Sequence, residues 1–127
     1  MRFMMIMFPK DYENAKPGWV PNFKEMEAMG KYNEELGKAG VLVALDGLTP
    51  PATMSARVTF KNGKSKVTDG PFTETKEVIG GWAILNTDSK AEAVRIATEF
   101  MELHRKYWPG FDGESEVRPM FDPGMGP

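Results

Sequence analysis

Nine consecutive positions, Asp69-Gly70-Pro71-Phe72-Thr73-Glu74-Thr75-Lys76-Glu77, hold the densest group of residues able to do chemistry. A carboxylate such as Asp69 can accept a proton, and an ammonium such as Lys76 can steady a developing anion. The ordinary structural reading stands beside it: Asp before Gly-Pro commonly accepts backbone N–H bonds and holds the turn. Thr73 to Glu77 also reads as a solvated face whose ion pairs are each worth about 0–1 kcal/mol. Gly80-Gly81 follows closely, and backbone without side chains leaves room for a ligand or permits a bulge.

Asp46 is the second candidate acid. It ends an apolar run and precedes Gly47, so it either caps the turn or directs its carboxylate into a cleft beside Arg57. Asp69 and Asp46 are thus the candidate catalytic acids, with Arg57, Phe72, Thr73, Glu74, Lys76, Gly80 and Gly81 as candidate ligand contacts.

Other reactive types are few. There is no cysteine, which excludes disulfides, thiolate metal sites and thiol nucleophiles. The one histidine, His104, falls on the apolar stripe of a helical segment, where a lone His is most often structural. No carboxylate spacing reads as a metal site, so neither metal nor organic cofactor is expected. The ten methionines read as core filling. Trp19 and Trp82 suit either a planar ligand or an interface.

A chain of 127 residues is one domain, long enough to bury a real core. Lys and Arg number 16 against 18 Asp and Glu, interspersed, so no basic stripe offers itself to nucleic acid. The longest apolar run, Phe3 to Phe8, falls far short of the roughly 20 residues that span a membrane. No signal-peptide layout is present, and a cytoplasmic location is expected.

Elements must position these residues. Arg2 to Phe8 reads as a strand, continuously apolar from Phe3 and wanting cover on both faces, and Pro9 closes it. Asp11 to Val20 reads as a polar loop. Asn22 and Glu25 form a capping-box pattern opening a helix from about Pro21 to Lys38, with Met26, Met29, Asn33 and Leu36 at helical spacing. Gly40 suits a left-handed cap before a strand at Val41 to Leu45. Asn62-Gly63 between Arg57–Phe60 and Ser65–Thr68 predicts a hairpin. Val78 to Asn86 reads as a strand interrupted by Gly80-Gly81. Ser89 to Glu92 is a second capping box, opening a helix to Tyr107 along Val94, Ala97, Phe100, Met101 and His104. Glu116 to Phe121 is a last, edge strand.

This order is an α+β fold, the ferredoxin-like split βαβ pattern with an added β-hairpin, two helices lying on one face of an antiparallel sheet. The domain runs from 1 to 122, with a fraying tail at 123–127. The sheet face without helices stays apolar and predicts a homodimer through that open face.

With Asp69-Gly70-Pro71-Phe72, Thr73 to Glu77 and Gly80-Gly81, together with Tyr32-Asn33-Glu34-Glu35-Leu36, Ala39-Gly40-Val41-Leu42, Gly47-Leu48-Thr49-Pro50 and Glu116-Val117-Arg118-Pro119, the chain resembles the DGPF group of the YCII-related family. The resemblance implies a dimeric α+β barrel, with Asp46 and Asp69 as pocket acids. In the broader family a His and Asp pair in the cleft is the proposed catalytic unit, and some relatives act on small ring compounds without a cofactor. This chain departs from that pattern, its one His lying in the second helix. Three functions are therefore expected in order: a dimeric protein binding a small polar or aromatic metabolite; a cofactor-independent lyase or isomerase on a small ring compound; an interaction protein without a ligand site, associated with transcription regulation.

Overall fold

The computed structural model describes residues 1–15, 20–50, 54–69 and 78–121. Four strands form one antiparallel sheet in the order β2-β5-β1-β6: β1 (Arg2–Pro9), β2 (Leu42–Gly47), β5 (Gly81–Asn86) and β6 (Gly113–Pro119). Helix α1 (Phe23–Lys38) links β1 to β2, and α2 (Lys90–Tyr107) links β5 to β6. Each crossover skips one strand, which is the expected split βαβ arrangement. The sheet is open within one chain. Strands β3 (Ala56–Lys61) and β4 (Lys64–Asp69) form the expected hairpin as a separate two-stranded sheet. At its turn Asn62 and Gly63 both have positive φ, 53° and 76°, as the Asn-Gly pair anticipates.

Sheet alternation divides the apolar residues between two faces. Phe3, Met5, Ala83 and Leu85 face the helices and form the core with Leu36, Ala93, Ile96, Ala97 and Phe100. Opposite them lie Met4, Ile6, Trp82 and Ile84, adjacent in register and only partly covered.

Both helix starts follow from the sequence. Asn22 Oδ1 accepts the Glu25 N–H at 2.8 Å, and Ser89 Oγ accepts the Glu92 N–H at 3.2 Å. Gly40, at φ 76°, ends α1, and the Val41 N–H reaches Leu36 O at 3.0 Å.

Several expectations need correction. On α1, Leu36 is buried and Met29 partly so, as expected, but Met26 is exposed and the inward stripe is completed by Glu25 and Tyr32. On α2 it is Ala93, Ile96, Ala97 and Phe100, and Val94 is exposed. Strand β5 starts at Gly81 rather than Val78, and β6 begins three residues earlier than expected, at Gly113, and ends two earlier, at Pro119 on the sheet edge. Strand β2 extends to Gly47 with an irregularity between Leu42 and Ala44, leaving Val43 in solvent. No helix among the described residues is long and apolar enough to cross a membrane.

Candidate active site between the helices and the sheet

A cavity of about 330 Å³ lies between the helix layer and the ends of the central strands. Its walls are mostly apolar, with Met5, Met7, Met29, Leu45, Met101 and Trp108 among the lining residues. Two ionisable side chains from different helices meet in this wall.

Glu25 comes from the first turn of α1. Its N–H is capped by Asn22, but its carboxylate does not complete the capping box. It turns inward, and its Oε1 lies 3.6 Å from His104 Nε2 on α2. The side chains are 4% and 12% exposed, so this pair is almost withdrawn from water. Burial pushes the Glu25 carboxyl up from its ordinary value, and the His104 charge partly offsets that.

The tautomer of His104 follows from its other nitrogen. Nδ1 lies 2.8 Å from the carbonyl oxygen of Phe100, which can only accept, so Nδ1 carries a proton. In a neutral ring Nε2 is then an acceptor, facing a carboxylate that is also an acceptor. At 3.6 Å the two are beyond direct hydrogen-bond distance, and the approach is attractive when one of them carries an additional proton. Phe111 packs on the imidazole at a centroid distance of 5.3 Å and holds its plane.

Asn22 ties the two helices together at this point. Its Nδ2 donates to Tyr107 O at 2.5 Å while its Oδ1 caps α1, so the start of α1 is fixed to the end of α2. Tyr12 closes another wall. Its hydroxyl donates to Leu48 O at 2.5 Å, and burial raises its pKa.

The residues singled out in the sequence divide between two places. Asp46, Gly80 and Gly81 line the cavity. Asp46 is exposed and accepts the Gly47 N–H on Oδ1 at 2.8 Å, the turn-capping arrangement. The space that a side chain on Gly80 would fill is held by Pro9, whose Cγ would lie 2.7 Å from an added Cβ; at Gly81 the Asp46 carbonyl oxygen would lie 3.2 Å away. The glycines therefore serve the close approach of backbone segments. Arg57 and Asp69 stand on the hairpin, in β3 and at the end of β4, and are not among the cavity-lining residues described. Phe72, Thr73, Glu74 and Lys76 lie outside the described residues, as does Trp19.

Glu25 and His104 were not paired from the sequence. One signal was available: Glu25 shares the helical spacing of Met29, Tyr32 and Leu36, so a charge sits on the buried stripe.

Comparison with known proteins agrees with the family part of the motif reading. A family model described as YCII-related domain matches residues 1–101. An uncharacterized protein of Rhizobium meliloti strain 1021 is 30% identical over 103 residues, 80% of this chain and 76% of the relative. His104 lies just beyond the residues that the family model matches.

Proposed function

The chain belongs to the YCII-related domain family, and from that membership and the cavity we propose that it binds a small, largely apolar molecule between its helices and sheet. The observation that carries this reading is the Glu25–His104 pair, buried in an otherwise apolar wall. Such a pair is costly to bury, and a ligand with one hydrogen-bonding group is the kind of molecule it would orient.

The same pair favours catalysis as a second reading. A carboxylic group and an imidazole sharing one proton can act as general acid and base on a bound ring compound, in an isomerisation or elimination needing no cofactor. Asp46, Gly80 and Gly81 belong to this reading as residues at the cavity wall. Asp69, with Arg57 and with Phe72, Thr73, Glu74 and Lys76 of the DGPF motif, is a second candidate group for the same ligand, and that motif is our ground for placing the chain in the DGPF group. The partly covered apolar residues Met4, Ile6, Trp82 and Ile84 support a homodimer through the open sheet face. The cysteine-free sequence accords with a cytoplasmic setting.

Native mass spectrometry of the purified protein, with 1-naphthol as a planar hydroxylated probe, tests the reading. Wild type should retain a host-cell molecule or take up the probe at one molecule per chain, and Glu25→Gln should weaken uptake about tenfold, the loss of one charge-assisted hydrogen bond. Absence of any bound mass at millimolar probe would overturn it. Asp69→Asn in the same assay separates the two candidate groups.

A further inference from the structure

The hairpin carries an unusual division of residues. Its register pairs Val58 with Val67 and sets Phe60 opposite Ser65, which places Val58, Phe60 and Val67 on one face. Arg57, Lys61, Lys64 and Lys66 alternate onto the other. Val58, Phe60 and Val67 are 68%, 74% and 65% exposed, so this chain leaves its own ribbon's apolar face in water. A lone two-stranded ribbon is marginally stable at best and normally needs a surface to lie on.

The same chain offers a surface of matching chemistry. On the open side of the main sheet, Ile6 and Phe8 of β1 stand beside Glu116 and Glu114 of the edge strand β6. An apolar strip there is bordered by Glu114 and by Glu116, the latter 3.4 Å from Arg118 of the same strand and Glu114 standing nearest the strand's start, and the ribbon is an apolar strip with lysines at its turn. The two patterns are complementary in both polarity and charge.

We propose that the β3–β4 hairpin is an arm that lies along the β6 rim of the open sheet face of a second copy of this chain. Phe60 and Val58 rest toward the partner's apolar strip, and Lys61 and Lys64, reaching past the ribbon's end on long stems, meet the carboxylates of its rim. The arm extends the sheet-face pairing proposed above and rests on that reading. A lipid surface is the competing occupant, since interfacial segments also set cations against an apolar face, and the vesicle measurement distinguishes it. A polyanion would engage the cationic face and leave Phe60 in water.

Because the chain has no cysteine, single cysteines give an unambiguous test. A Phe60→Cys protein is mixed with a Glu114→Cys protein, both positions being exposed, and oxidised. Phe60 lying against the partner's rim predicts a mixed disulfide in preference to either homodisulfide. In parallel, sedimentation of Lys61→Glu/Lys64→Glu should show at least a tenfold weaker dimer, restored by Glu114→Lys/Glu116→Lys. A dimer unaffected by these changes and yielding no mixed disulfide overturns the arm while sparing the sheet-face pairing. A monomer at micromolar concentration overturns both. Loss of binding to phosphatidylserine vesicles in the Lys61→Glu/Lys64→Glu protein, with the dimer unchanged, also overturns the arm.

Discussion

Glu25 Oε1 and His104 Nε2 lie 3.6 Å apart in the cavity wall, one residue from each helix, although nothing in their local sequences pairs them. The Nδ1 contact with Phe100 O orients the ring and turns Nε2 toward the Glu25 carboxylate, so a proton on either group faces the other.

If the pair transfers that proton to a ligand, His104→Gln should reduce turnover by about 10²–10⁴-fold, the usual contribution of a positioned acid or base. The fold should survive, because Gln can still hydrogen-bond locally. Activity with a found substrate, read beside circular dichroism, checks this; full turnover in a folded His104→Gln protein refutes the assignment.

The raised Glu25 pKa has a signed consequence. An acid whose folded pKa is raised binds more protons folded than unfolded. Its stabilising contribution is therefore present at acid pH, below the ordinary value near 4.5, and is lost as pH rises through the folded value. Glu25→Gln removes the titration, so its stability relative to wild type should rise with pH from about 4.5 upward. Urea midpoints at several pH values measure the difference, and a difference independent of pH would contradict the burial of that carboxyl.

Gly80→Ala should destabilise the domain by about 1–3 kcal/mol, the range for forcing extra volume into packed structure. The added Cβ would lie 2.7 Å from Cγ and 2.8 Å from Cδ of Pro9, a ring that cannot swing aside. Thermal unfolding checks it; an unchanged midpoint would mean that β1 yields at Pro9.

Asn22→Ala removes both the cap of α1 and the bond to Tyr107 O. A cost of about 1–2 kcal/mol is expected. Because Asn22 also sets the start of the turn that aims Glu25, ligand uptake should fall further in Asn22→Ala than in Ser89→Ala, which caps α2 away from the cavity. Equal uptake in both proteins would show that the pair is positioned without Asn22.

Leu85→Ala tests the core beneath the site. Leu85 is fully buried on the central strand, and the substitution should cost about 2–5 kcal/mol. A loss below 1 kcal/mol in a urea titration would mean that the core collapses into the space.

Much of this protein was determined by sequence alone, wherever the signal is local. Asn22 and Ser89 mark helix starts because a side-chain oxygen three residues before an N–H satisfies it whatever the tertiary structure. Asn62-Gly63 makes a turn because both residues tolerate positive φ. The order of elements then leaves few topologies, and the split βαβ sheet follows. Rotation of the helices was not local: Met26 and Glu25 differ by one position, and only packing of α1 against α2 and the sheet decides which is buried. Hydropathy favours Met26 inside, yet the buried residue is Glu25, because His104 arrives opposite it from a segment remote in sequence. A charge enters an apolar wall only when its partner is there to meet it, and where that partner stands is a property of the fold.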